Sequence, residues 1–141
     1  MSKFRSGIGY DVHALVSGES LVLGGVNISY GKGLKGHSDG DVLLHAIIDS
    51  VIGASGLGDI GGHFPSSKKE LCGVSSVLLL EQTHDKMESS GFRAIFVDAT
   101  IVIQSPSVMD YISHMKKNVA CALSLSAKDV NIKATTTERL G

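Results

Sequence analysis

FRAIFVDATIVIQ, residues 92–104, is the stretch on which the fold turns. Ile95, Val97, Ala99, Ile101 and Ile103 alternate along it. Period-2 alternation of apolar residues is the signature of a strand with one buried side. The opposite face mixes Phe96 and Val102 with Asp98 and Thr100. Such a face is too apolar for free solvent and too polar for a core, and it suits an oligomer interface. Pro106 ends the strand, because proline has no N–H for a ladder.

Working outward, residues 5–15 read as a strand, and SLVLGGVNISY (20–30) as one or two short strands broken at Gly24-Gly25. KGLKGHSDGD (32–41) reads as a loop. A helix follows, capped by Ser38 or Asp39, with Leu43, Leu44, Ile47, Ile48 and Val51 at helical spacing. The glycines of GASGLGDIGG end it. A second helix is expected at about 74–90, with Val77, Leu78 and Leu80 inward and Gly91 as its stop. A third helix covers about 108–124, and VNIKATT (130–136) is a last strand. Strands interleaved with helices predict an α+β fold: a mixed β-sheet with helices packed on one face.

The chain has 141 residues, a formal net charge of −1, 43% hydrophobic and 19% charged residues. That composition predicts one folded domain rather than disorder. No basic stripe interleaved with aromatics is present, so nucleic acid is not an expected partner. VSSVLLL (74–80), the longest apolar run, is too short to span a bilayer, and MSKFRSGIGYDVH lacks an apolar signal core. No membrane partner and a cytoplasmic location are the expectation. Cys72 and Cys121 have no CxxC partner and read as buried free thiols.

The chemistry concentrates in few places. GYDVHAL (9–15) carries Asp11 and His13 two residues apart, on one face of the expected strand. On the helix, Asp41, His45 and Asp49 recur at i, i+4 and i+8, along one side. One carboxylate and two imidazoles suffice to hold zinc with a position left open. Spacing alone equally allows a surface ion pair at Asp11–His13 and an ordinary edge residue at His45. GLGDIG (56–61) has the letters of a dinucleotide-binding loop, yet it follows a helix instead of a strand, so its context fails. In the tail ATTTERLG (134–141), threonine hydroxyls could meet phosphate and Glu138 could meet Mg²⁺, or the segment is a solvated edge strand.

DVHAL (11–15), GGVNI (24–28), HSDGDVLLHAIIDSVIGASGLGDIGGHFP (37–65), VDATI (97–101) and NIKATTTERLG (131–141) occur in one order. Together they resemble the 2-C-methyl-D-erythritol 2,4-cyclodiphosphate synthase family over nearly the whole chain. The resemblance implies conversion of 4-diphosphocytidyl-2-C-methyl-D-erythritol 2-phosphate to the cyclic diphosphate, with loss of CMP. It implies Asp11, His13 and His45 as zinc ligands, and Glu138 as a ligand for Mg²⁺ or Mn²⁺. It implies substrate contacts from His37, Ser38, Asp59 and Gly61. The cytosine would meet Ile103, Ser107, Val108 and Met109, with Ala134 closing the pocket; Thr135, Thr136 and Thr137 would also line the substrate site. Asp49 is expected to orient a zinc-bound imidazole. No general acid or base is implied. A homotrimer is implied, with active sites between subunits.

Three departures stand out. Ser107 follows Pro106 where the family commonly has a basic residue, and Ser66 and Ser67 replace an acidic residue after the FP pair. A further strand is expected after the last one, and the chain ends at Gly141. A phosphohydrolase on the same metal centre, and a binding module without turnover, are the competing readings.

Overall fold

The computed structural model describes residues 4–140. Strand β5 (Val97–Val102) lies beside β6 (Val130–Thr135) in parallel register, from Val97 opposite Val130 to Val102 opposite Thr135. Parallel neighbours need a long crossover, and helix α4 (Ile112–Ala122) supplies it. The buried residues of α4, Met115, Val119, Ala120 and Ala122, join the core with Ile101, Val130 and Ile132.

Short strands precede this unit. They are β1 (Leu15–Val16), β2 (Leu21–Leu23), β3 (Val26–Ile28) and β4 (Gly33–Leu34). β1 pairs with β4 and β2 with β3, both antiparallel. Gly24 and Gly25 turn the β2–β3 hairpin with φ of 58° and 71°. Two consecutive positive-φ residues define the type I′ hairpin turn. Among the described residues, the expected mixed sheet is therefore divided into three two-stranded ladders.

Helix α1 (Val42–Ser55) runs through the centre, with Leu43, Leu44, Ile47, Ile48, Val51 and Ile52 buried. Helix α2 (Ile60–His63) is one turn long, and α3 (Ser76–Ser89) packs on α1. Gly56, in the left-handed region, closes α1. The N-cap of α1 is Asp41, not Ser38 or Asp39. Asp41 is fully buried and accepts from Gly24 N at 3.0 Å, Gly25 N at 2.7 Å and Leu44 N at 3.1 Å. One carboxylate thus caps the helix and holds the hairpin turn against it. Burial pushes its carboxyl up to about 7, against the three amides, which pull it down.

Four further expectations are corrected. Residues 5–14 carry no ladder and run extended over α1. Leu79 and not Leu78 points inward, Leu78 being 51% exposed, because the inward stripe of α3 follows Ser76, Leu79, Leu80, Thr83 and Met87. Ile95 is 56% exposed, since the strand starts at Val97 and the alternation breaks before it. Cys72 and Cys121 are exposed free thiols: one caps a 3-10 turn, the other lies on the outer side of α4 between buried Ala120 and Ala122.

Candidate metal centre

Close packing of backbone on backbone builds the site. A Cβ on Gly7 would lie 1.9 Å from Ser50 O, and one on Gly9 1.8 Å from Ala46 O. Only glycine permits that approach. The segment therefore runs flush along α1, and two residues beyond Gly9 it brings Asp11 to His45. Asp11 and His13 are half-buried while Val12 is 72% exposed. Extended backbone alone keeps the two side chains on one face, without a ladder.

Asp11 Oδ2 is 3.0 Å from His45 Nδ1 and 3.0 Å from His13 Nε2. The donor atoms of the three residues all lie within 4.8 Å of one another. The rings of His13 and His45 are 5.1 Å apart, tilted by 58°. His13 Nδ1 is buried and has no hydrogen-bond partner among the described residues. Burial pushes His45 below its ordinary value, and the neighbouring Asp11 carboxylate, which favours the charged imidazole, only partly opposes this. A neutral imidazole is the form that ligates a metal. A carboxylate and two imidazoles converging at this distance can share one divalent cation, while a bare ion pair explains neither the second histidine nor the convergence.

The far side of His45 is also tied. Its Nε2 is 2.9 Å from Ser38 Oγ and 3.0 Å from Ser76 Oγ. Ser38, expected at the substrate, thus contacts a histidine of the candidate metal centre. Asp49, expected behind His45, makes no hydrogen bond to it; its Oδ1 accepts from Ile60 N at 3.0 Å and anchors α2. The reason is geometric: Asp49 is one turn further along α1, where the chain returns through residues 57–60.

The other sequence candidates lie around this centre. His37 Nε2 is 3.0 Å from Lys68 O. Asp59 caps α2 by accepting from Gly62 N at 2.8 Å, and Gly61 lies within that turn. Ile103 N donates to Thr135 O at 2.9 Å, which prolongs the β5–β6 pairing by one residue. Ser107 and Met109 are exposed, but Val108 is buried in the core. Ala134, Thr135 and Thr137 are exposed. Thr136 Oγ1 donates to Glu138 Oε1 at 2.9 Å, and Glu138 sits in the left-handed region at φ 53°. Glu138 is not part of the three-residue cluster.

Asp39, read from the sequence only as a possible helix cap, and Ser76 were not suggested as site residues. Ser76 Oγ donates to Asp39 Oδ1 at 2.5 Å, and Ser76 N to Asp39 Oδ2 at 2.9 Å. A serine at a helix start signals only a helix start.

Comparison with known proteins places the chain in a family. The chain is 53% identical over 97% of its length to the 2-C-methyl-D-erythritol 2,4-cyclodiphosphate synthase of Clostridium beijerinckii, covering 87% of that protein. It is 51% identical over 97% of its length to that of Syntrophobacter fumaroxidans, covering 86%. Among solved structures, the bifunctional IspDF from Campylobacter jejuni superposes with a TM-score of 0.90 at 42% identity. That match takes 97% of this chain but spans only 37% of the bifunctional protein. The CDP complex of IspF from Plasmodium falciparum matches with a TM-score of 0.82 at 32% identity, over 97% of this chain and 84% of that one. Residues 4–141 match the YgbB family, and the chain belongs to that family.

Proposed function

We propose that this chain converts 4-diphosphocytidyl-2-C-methyl-D-erythritol 2-phosphate into 2-C-methyl-D-erythritol 2,4-cyclodiphosphate and CMP. The observation that carries the reading is the convergence of Asp11, His13 and His45 in a chain whose relatives are named for that synthesis. A 2-phosphate oxygen forms a bond to the β-phosphorus. The bond from that phosphorus to the bridging oxygen breaks, and CMP leaves with the bridging oxygen. The two reacting groups are anions on one molecule, so the protein must neutralise charge and impose in-line geometry. A proton acceptor is unnecessary, because the attacking phosphate oxygen is already unprotonated near neutral pH.

Asp11, His13 and His45 suit zinc. Bonds of about 2.0–2.1 Å to a tetrahedral ion place its ligands about 3.3 Å apart. The 3.0 Å separations from Asp11 to each histidine are close to that. Glu138, already paired with Thr136, offers oxygen ligands for Mg²⁺ or Mn²⁺. When bound, such ions supply Lewis-acid neutralisation of phosphoryl oxygens. The chain's own residues do the positioning. His37 and Asp59 would hold the methylerythritol phosphate and its hydroxyls, and Gly61 would let it approach. Backbone groups at Ile103, Ser107, Val108 and Met109 would read the cytosine edge, with Ala134 beside it. Thr135, Thr136 and Thr137 would hold the diphosphate. The CDP complexes of two structural neighbours support a nucleotide at this site.

The working form is a homotrimer with sites between subunits. In support, Val102 on the far side of the sheet, Phe96 just before it, and Ile8, Tyr10 and Val12 are more than half exposed. An apolar surface of that kind is usually covered by a partner. A cytoplasmic location is consistent with the absence, among the described residues, of any helix long and apolar enough to cross a membrane.

³¹P NMR of the protein with the cytidine diphosphate substrate, Zn²⁺ and Mg²⁺ tests the reading. A cyclic diphosphate and CMP, both lost on chelation, are the expected products. A linear diphosphate would make the protein a phosphohydrolase, and no product would leave a binding module.

A further inference from the structure

Asp39 and Ser76 end a hydrogen-bond chain that begins at His45. Ser76 is fully buried, and its hydroxyl has His45 Nε2 on one side and Asp39 Oδ1 on the other. Asp39 is itself anchored. Its N–H donates to Val74 O at 3.1 Å, and its Oδ1 also accepts from Asp41 N at 3.2 Å.

Proton bookkeeping decides what this chain does. A carboxylate only accepts, and a hydroxyl has one proton to give. Ser76 gives its proton to Asp39. What Ser76 Oγ presents to His45 is a lone pair. The 3.0 Å contact is then a hydrogen bond only if Nε2 carries the proton. Ser38 Oγ is a second acceptor for that N–H at 2.9 Å, and its own proton can reach Ser76 Oγ at 3.3 Å. A neutral imidazole protonated on Nε2 has its lone pair on Nδ1. Nδ1 faces Asp11 Oδ2 at 3.0 Å. Two lone pairs at that distance repel, so this arrangement carries a cost that a cation between them removes.

We propose that Asp39 and Ser76 are positioning residues that hold His45 protonated on Nε2, so that Nδ1 is offered with Asp11 to a divalent cation. The inference rests on the metal reading above and extends it to two residues outside the ligand set. It also accounts for three of the hydrogen bonds that tie the loop 37–41 to the start of α3: Asp39 N to Val74 O, Ser76 N to Asp39, and Ser76 Oγ to Asp39.

Asp39→Asn is the decisive variant. It keeps the shape of the side chain, and its oxygen can still accept from Ser76 N. Its amide nitrogen then takes the Oδ1 position, where it gives up the bond from Asp41 N and donates to Ser76 Oγ, which turns the hydroxyl proton toward His45 Nε2. The histidine must then carry its proton on Nδ1, the wrong end for the metal. Two measurements follow: ¹⁵N NMR of the histidines in chelator-treated protein, and zinc affinity by competition with a chromogenic chelator. The wild type is expected to show His45 protonated on Nε2. The variant is expected to show it on Nδ1 and to bind zinc about 10–100-fold more weakly, the usual effect of losing a residue that orients a ligand. Ser76→Ala, which removes the relay without reversing it, should fall between the two. An unaltered tautomer together with unaltered zinc affinity in Asp39→Asn overturns the proposal. If that variant does not fold, Ser76→Ala decides by the same two readings. A wild type that binds no zinc would instead overturn the metal reading, whereas the tautomer is read without metal.

Discussion

Gly9→Ala should disable the metal centre although Gly9 touches no ligand. The added Cβ would lie 1.8 Å from Ala46 O, and real Cβ atoms essentially never come closer than 3.0 Å, so the segment must lift by about 1.2 Å. Helix α1 cannot yield instead, because Ile47 and Ile48, beside Ala46, are buried in the core. Asp11 is two residues away and moves with the segment. Its 3.0 Å separation from His45 Nδ1 then grows to about 4.2 Å, the limit that two bonds of about 2.1 Å can span in a straight line. One protein ligand is lost. Zinc affinity should fall more than about 100-fold, and displacement on this scale costs about 10²-fold in turnover. Competition against a chromogenic chelator gives the first number and ³¹P NMR of product the second. Gly31→Ala is the control, since nothing lies within 4 Å of its added Cβ. Zinc binding by Gly9→Ala within threefold of wild type would refute the close-approach argument.

Other outcomes follow from the same geometry. Asp41→Ala strands the amides of Gly24, Gly25 and Leu44, and should cost about 3 kcal/mol or more of stability in urea unfolding; a loss under about 1 kcal/mol would mean water replaces the carboxylate. His45 titrates below its unfolded value of 6.5 because it is buried. The unfolded chain therefore binds the proton first as pH falls, so this stabilisation is complete above 6.5 and is lost as pH drops through the folded value. Chelator-treated wild type should lose Tm relative to His45→Gln between pH 7 and about pH 5, and a constant difference would contradict it. Glu138→Gln should keep zinc binding and raise the Mg²⁺ concentration needed for turnover; an unchanged Mg²⁺ dependence removes Glu138 from that role.

Much of the fold was legible because local patterns and tertiary demands agreed. The apolar stripe of α1, the glycine pair at the β2–β3 turn and the alternation Val97, Ala99, Ile101 each specify one local conformation. The misreadings arise where a second element intervenes. Asp41 displaced Ser38 as helix cap because the hairpin's amides needed the same carboxylate. Leu78 was read inward from a run of leucines that fits several faces of a helix. Residues 5–14 have the composition of a strand but lie on a helix.

The ligand set illustrates the same limit. Asp11 and His13 share a face by backbone geometry, and that much is local. Nothing within either segment tells that His45, thirty-four residues from Asp11, completes the group; residue types alone make the three a possible set, and the resemblance to a family is what singles it out. Asp49 and His45 look like partners on one helix face, yet the return of the chain at Ile60 claims Asp49. The pairing of Asp39 with Ser76 is illegible in the sequence for the same reason.

What the sequence determined by itself is periodicity, turn chemistry and the identity of the donors, because these depend on residues within a few positions of one another. The tertiary structure alone decided which donors meet and which partners face each end of His45. Those depend on contacts of 3 Å between segments far apart in the chain, and hydrogen-bond direction is set by every partner at once.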